Sequence, residues 1–230
     1  MKKDYGVFPG ITVAFREYKA EEAFCCHEAE WNLLEINYCR NGRIGWNMKN
    51  GRSIYLGPGD FSLHTRSLCA GCKMSIPNGY YDGLTICIDL VKFDQSPPEL
   101  LAGTGITGRM LAEKFCSHDD FQNVGSSEER FSVFFGNEKT EGIFSGFYHK
   151  KENLRKPYLV LKTLELLLYL GEVESGQGKE AGRYRSEQVE TIRKVHDYLL
   201  QHMEERITIE ELSQKYLMNP TTLKAVFKEV

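Results

Sequence analysis

The chain has 230 residues and a mass of 26.4 kDa, with 41% hydrophobic and 27% charged residues, enough apolar material for one large or two small packed domains. Aromatic residues at 12% and only seven prolines exclude collagen-like, low-complexity and wholly disordered chains. A formal net charge of −3 and a pI near 6.1 exclude bulk electrostatic attraction to nucleic acid, so any DNA contact must come from local geometry.

Met1-Lys2-Lys3-Asp4-Tyr5 is not followed by an apolar signal segment. No apolar stretch approaches the roughly 20 residues that span a bilayer. The best candidate, Leu164 to Leu170, is short and contains Glu165 and Tyr169. Seven cysteines are an odd number, and the adjacent Cys25-Cys26 suits reduced thiols better than a disulfide framework. The expectation is a soluble cytoplasmic protein without a membrane partner.

From about Ile11 to Leu90 the pattern is strand-like. Trp31 to Cys39 is rich in β-favouring residues and ends at an Arg40-Asn41-Gly42 turn signal. Ile44, Trp46 and Met48 share a face at period two before Asn50-Gly51 turns the chain. Ser53 to Leu56 is a short strand, Gly57-Pro58-Gly59-Asp60 a turn, and Phe61, Leu63 and Thr65 alternate to one side. Leu84, Ile86, Ile88 and Leu90 share another face. Short strands with regular turns predict a β-sandwich or small barrel.

From about Pro98 to Val173 the pattern turns helical. Pro97-Pro98 opens a helix-compatible stretch, and Ser126-x-x-Glu129 has the form of a capping box ahead of Phe131, Phe134 and Phe135. Arg155 to Tyr169 is the strongest helix signal. Tyr158, Leu161, Leu164 and Leu168 recur at helical spacing, and Leu159 and Leu166 widen the stripe enough to cover a sheet or a partner subunit. Glu174 to Gly182 is small and polar, a linker by composition.

Gln188 to Glu204 reads as one helix, with Val189, Ile192, Val195 or His196, and Leu199 on a face. Thr208-x-x-Glu211 is a second capping box, opening a short helix through Leu212 and Tyr216. After Leu217-Met218, Asn219-Pro220 is an N-cap followed by proline in the first turn. The last helix turns Leu223, Val226 and Phe227 inward. Two short helices joined by a few residues are a helix-turn-helix.

The closing string from Ile207 to Val230 resembles the first helix-turn-helix of AraC-type transcription regulators, through Ile207, Leu212, Asn219-Pro220, Leu223 and Phe227-Lys228. Residues 55–65 and 73–90 look like the cupin-type sensor domain of some members, and residues 158–170 like their interdomain helices. The resemblance implies a fold of the α+β class: a cupin-like β-barrel or sandwich, a helical dimerisation layer and one helix-turn-helix. Its expected divisions are a sensor domain at 1–97, a helical region at 98–173, a linker at 174–186 and the first helix-turn-helix at 187–230. The second helix-turn-helix of the family is absent from these residues, which reads as a truncation. Two further departures are Leu217, where the turn usually carries glycine, and Ala225, where many members carry a long polar side chain. A left-handed Leu217 costs about 1 kcal/mol.

The resemblance implies a ligand-responsive regulator whose partners are double-stranded DNA, a small-molecule effector in the β-domain and a second copy of the chain. On the last helix Thr221, Thr222, Lys224, Ala225 and Lys228 are left outside. Thr221 and Lys224 are the candidates to read base edges, and Lys228 the one to meet phosphate. From Ile207 to Val230 three lysines face three acids, Glu210, Glu211 and Glu229, so binding by this segment alone is expected to be weak.

Catalytic and metal motifs are sparse. His27 and Glu28 precede no His-x-His pair and His64 stands alone, so no metal or other cofactor is expected. Cys69-Ala-Gly-Cys72 has the spacing of a zinc or redox half-site without a second ligand pair, and reads as two buried or loop thiols. Gly103 to Gly108 matches GxGxxG, but it follows a helix-like stretch and reads as a connection. The interior of the β-domain is the expected effector pocket, with Glu35, Tyr38, Trp46, His64 and Arg66 as candidates. An inward Glu35 must be paired or bind something cationic; an outward one faces solvent. The chain is expected not to be an enzyme. A cupin-fold metal-dependent enzyme with a helical tail, and a dimerisation module that antagonises other regulators without binding DNA, are the alternative readings.

Overall fold

The computed structural model describes residues 3–25, 27–47, 52–115, 131–148, 151–174, 179–180 and 184–229. Cys26, Met48, the Asn50-Gly51 turn, the capping box at Ser126 to Glu129, most of the compositional linker and the Val189 side chain lie outside the described residues.

Twelve strands are described: β1 (Lys3–Phe8), β2 (Ile11–Tyr18), β3 (Glu22–Phe24), β4 (Leu33–Gly42), β5 (Ile44–Asn47), β6 (Arg52–Leu56), β7 (Phe61–Thr65), β8 (Lys73–Ser75), β9 (Tyr81–Asp89), β10 (Ser132–Phe134), β11 (Lys179–Glu180) and β12 (Tyr184–Arg185). They form two antiparallel sheets, a seven-stranded one in the order β1-β2-β9-β4-β7-β10-β11 and a five-stranded one in the order β12-β6-β5-β8-β3. Helices α1 (Leu90–Gln95), α2 (Gly108–Phe115), α3 (Glu138–Ser145) and α4 (Glu152–Glu172) follow. After them come α5 (Ser186–Gln201), α6 (Ile209–Lys215) and α7 (Pro220–Glu229). The class is α+β, with a two-sheet β-domain, a helical layer and a terminal two-helix unit.

The centre of the large sheet is the β4–β9 pair, in which Glu35 faces Cys87 and Asn37 faces Thr85. Alternation then sends Leu34, Ile36, Tyr38, Phe61, Leu63, Leu84, Ile86 and Ile88 to the outer face. There they form one core with α1 to α4. Leu159, Leu164, Leu166, Leu167 and Leu170 supply the α4 side of that core, and each fully buried leucine stabilises it by about 1.5–3 kcal/mol.

Phe61, Leu63 and Thr65 of β7 share one face, as expected, and all five residues of the strand are buried. Three sequence expectations need correcting. The α4 stripe is rotated from the one expected: Leu161 and Leu168 are 59% and 45% exposed, whereas Leu159 and Leu170 are fully buried. With leucine on most of the circumference, periodicity could not choose the buried face. Ser132 to Phe134, placed in the helical region by its polar lead-in, is instead a strand that pairs with β7. Inside the compositional linker, β11 pairs with β10 and β12 with β6; two-residue ladders leave no mark in composition.

The terminal unit packs Ile192 and Val195 of α5 against Leu212 of α6 and Leu223 and Val226 of α7. Thr208 and Glu211 form the expected capping box, with Thr208 Oγ1 accepting from the Glu211 N–H at 3.3 Å and Glu211 Oε2 accepting from the Thr208 N–H at 2.7 Å. Asn219 Oδ1 accepts from the Thr222 N–H at 2.8 Å and starts α7. Between the helices Leu217 has φ 51°, a positive value no other non-glycine residue shows among the described residues. Phe227, expected inward, is 40% exposed; one helical turn beyond Leu223, the small bundle has no more core to offer it.

Candidate functional site

The inner face of the large sheet, turned toward the small sheet, carries the alternate residues of the same strands. In one cross-strand row stand Cys87, Glu35 and His64; in the next stand Thr85, Asn37 and Ser62. Opposite them Ile44, Trp46, Ile54, Leu56, Met74 and Ile76 form an apolar wall, joined by Phe131 and Val133. The packed interior between the sheets, called the chamber below, is therefore polar on one side and apolar on the other.

Glu35 is its charged centre. Its Oε2 lies 3.6 Å from His64 Nε2 and its Oε1 lies 3.4 Å from Arg66 Nε, while Arg66 Nη1 donates to Glu30 Oε2 at 2.7 Å. Burial pulls the Glu35 carboxyl upward. The hydrogen bond and charge of His64, aided by His27 and Arg66, outweigh that and hold it below the usual carboxylate range. The inward carboxylate is thus paired within the protein, one of the two outcomes open to it. Asn37 Oδ1 accepts from Thr85 Oγ1 at 2.7 Å.

His64 is fully buried, stacked on Phe131 at 4.1 Å and 9°, and its Nε2 lies 3.3 Å from Cys69 Sγ. His64 Nδ1 and Ser62 Oγ have no hydrogen-bond partner among the described residues. Buried polar atoms are nearly always satisfied in folded proteins, so these two stand out on the inner wall. Burial, with the charge of Glu35, pushes the Cys87 thiol up to about 12. It is protonated at neutral pH and is no nucleophile. The inner wall presents hydrogen-bonding groups and one compensated charge.

Of the five expected chamber residues, the structure brings Glu35, His64 and Arg66 together, and sets Trp46 6.1 Å from His64. Tyr38 belongs elsewhere. Next to Asn37 on β4, it points to the outer face and stacks on Phe144 of α3 at 4.2 Å. Ser62, Asn37, Thr85 and Phe131 were missed. The first three alternate in step with Glu35 and His64 and were findable once register was known; Phe131 required β10.

Cys69 and Cys72 are both buried. Among the described residues no group of three or more His, Cys, Asp or Glu side chains is placed to hold a metal ion. The Gly103 to Gly108 segment runs through Gly103 and Gly105, both with positive φ, into α2.

On the terminal unit Thr221, Lys224 and Lys228 are exposed, and Thr222 and Ala225 half-buried. All five lie on α7, away from the buried Leu223 and Val226. Lys215, on α6, is held over the Tyr198 ring at 3.3 Å. No helix among the described residues is long and apolar enough to cross a membrane.

No family model and no curated protein matches the chain. Among solved structures, ToxT from Vibrio cholerae is similar over 94% of this chain and 75% of its own, with 8% identity and a TM-score of 0.40. The EutQ protein of Clostridium difficile is similar over 41% of this chain, with 17% identity and a TM-score of 0.30; the match spans 65% of that protein, just under two thirds. A cupin protein from Bacteroides fragilis is similar over 39% of this chain and 76% of its own, with 15% identity and a TM-score of 0.32. Scores this low leave the fold assignment to the sheet topology itself.

Proposed function

We propose that the chain is a ligand-responsive, DNA-binding transcription regulator of the AraC type, acting in the cytoplasm, with a cupin-like sensor domain and no catalytic role. The observation that carries the reading is the terminal unit: two short helices, each with its own cap, joined by a turn whose left-handed residue is Leu217. A polar face of Thr221, Lys224 and Lys228 is left outward on the second helix. Such a helix fits the major groove, where Thr221 and Lys224 would meet base edges and Lys228 a phosphate.

The effector site in this reading is the chamber between the sheets, with His64, Ser62 and Glu35 as its polar contacts. The effector acts by favouring one of two arrangements of the chain, a shift of populations. The chain acts as a dimer. Leu154, Leu161 and Leu168 of α4 stand seven residues apart and are 45%, 59% and 45% exposed, the spacing of a two-helix seam. Leu161→Glu is expected to yield monomers by sedimentation equilibrium.

Selection from a pool of randomised duplexes tests the DNA reading. The expected result is enrichment of one short common sequence by the wild-type chain and none by a Thr221→Ala, Lys224→Ala double variant. A pool that stays random with the wild-type chain overturns the proposal.

A further inference from the structure

The Cys69-Ala70-Gly71-Cys72 segment is a type II turn. Ala70 has φ −59° and ψ 118°, Gly71 has φ 69°, and the Cys72 N–H donates to the Cys69 carbonyl at 3.0 Å. The left-handed third position is why glycine stands at 71. Such a turn brings its first and fourth Cα atoms within about 7 Å, and a disulfide needs about 4.4–6.8 Å. Both cysteines are thiols, and both side chains turn inward into one cluster with Trp46, Met74 and Phe131. The Cys72 thiol donates to the Leu68 carbonyl, 3.5 Å away, so it sits beside the peptide bond that enters Cys69.

The surroundings give the two thiols different parts. Cys69 Sγ lies 3.3 Å from His64 Nε2, and Glu35 Oε2 lies 3.6 Å from the same nitrogen. His64 can therefore take the Cys69 proton on Nε2, with the Glu35 carboxylate beside it to compensate the imidazolium charge. Cys39 and Cys87 serve as contrasts, because burial above all pushes each of those thiols up to about 12. Gly71, at the tip of the turn, is exposed, and a Cβ there would meet nothing. The pair thus lies one residue beneath the surface, within reach of an oxidant as small as hydrogen peroxide and out of reach of a bulky disulfide such as oxidised glutathione.

We propose that Cys69 and Cys72 are a dithiol that hydrogen peroxide converts to a disulfide, with Cys69 as the attacking sulfur, Cys72 as the resolving one and His64 as the base. The Cys69 proton moves to His64 Nε2. The thiolate attacks one peroxide oxygen; an S–O bond forms, the O–O bond breaks, and the departing hydroxide takes the proton back from His64 as water. Cys69 is then a sulfenic acid. The Cys72 sulfur attacks the Cys69 sulfur; the S–S bond forms, the S–O bond breaks, and hydroxide leaves with the Cys72 proton as a second water. Two thiols are oxidised and one peroxide is reduced. The chemistry is independent of whether α7 reads DNA.

The test exposes the full chain to hydrogen peroxide, then denatures, alkylates and cuts it with trypsin without reduction. Arg66 and Lys73 bound one peptide that holds both cysteines. That peptide is expected to appear without alkyl groups and lighter by its two thiol hydrogens, at least about tenfold faster than Cys39 or Cys87 loses alkylation. A dithiol reductant is expected to restore both alkylation sites. In Cys72→Ser the sulfenic acid on Cys69 has no resolving partner and is expected to be captured by dimedone. His64→Gln is expected to slow the oxidation at least about tenfold; an unchanged rate in a folded His64→Gln chain overturns the role of His64. Should that variant unfold, the wild-type map and Cys72→Ser still decide. Cys25, whose N–H donates to the Cys72 carbonyl at 3.0 Å, is the competing neighbour. A Cys25–Cys72 bond, or a peptide still alkylated at both Cys69 and Cys72 once Cys39 or Cys87 is oxidised, overturns the proposal.

Discussion

The two faces of the seven-stranded sheet are made from alternate residues of the same strands, yet they have opposite chemistry. Outward, Leu34, Ile36, Leu84, Ile86 and Ile88 are fully buried in one apolar core with four helices. Inward, Glu35, Asn37, Ser62, His64 and Thr85 are nearly as buried, and polar. The first face holds the β-domain together; the second tolerates buried polar atoms that stability alone would replace with aliphatic ones. A one-residue slip of β4 would exchange the two faces. The ladders on both sides of β4 forbid it.

The largest effect expected from breaking this contrast is on the apolar side. Phe144 is fully buried and lies against both Tyr38 and Phe61. Phe144→Ala is expected to cost about 3–5 kcal/mol, seen as a lower urea midpoint with an unchanged slope. A loss within experimental error would mean that the outer face does not carry the fold.

On the polar side, Glu35→Gln removes the carboxylate that His64 and Arg66 share, leaving Arg66 only Glu30, and is expected to cost about 1–3 kcal/mol near neutral pH. The pH dependence follows from the direction of the shift. The folded carboxyl titrates below its ordinary 4.5, so its contribution is present above that value and disappears as pH falls through the lower folded value. Stability against pH should therefore drop less steeply below pH 4.5 in Glu35→Gln than in the wild type; equal acid limbs would contradict the pairing.

Much of this contrast was legible in the residues alone. Leu84, Ile86 and Ile88 announce a buried face at period two, and Thr208, Glu211, Asn219 and Pro220 announce two capped helices, because caps are local chemistry. Register is not local. Whether Glu35 or Tyr38 looks into the chamber depends on the side on which the helices pack, so both were nominated and one was wrong. Leu161 and Leu168 were misplaced because a helix with leucine on several faces carries no single stripe. The Phe131 stack on His64 depends on a three-residue strand after a long polar run, and tertiary pairing alone creates that strand. The hydrogen bond from Arg193 to Tyr55 joins residues 138 apart, a contact no spacing rule anticipates.

Smaller effects sharpen the same contrast in the terminal unit, where buried Leu223 and Val226 alternate with exposed Thr221 and Lys224. Thr208→Ala removes one half of the capping box and is expected to cost about 1 kcal/mol in thermal unfolding of that unit. Leu217 is 94% exposed, so Leu217→Gly loses no burial and relieves the left-handed backbone. A gain of up to about 1 kcal/mol is expected, reduced by the entropy glycine brings to the unfolded chain. A loss there would show that the leucine side chain has a contact the exposed turn does not reveal.

The most direct measurement for the regulator reading is the salt dependence of binding to whichever duplex the selection enriches. With Lys228 as the α7 cation that meets a phosphate, log K should fall with log salt at a slope of about −1 per terminal unit. Lys228→Ala should flatten that slope, whereas Lys224→Ala should weaken binding and relax the selected sequence with the slope kept. A flat salt dependence, or a Lys224→Ala chain that binds the duplex as the wild type does, would contradict a DNA-reading α7.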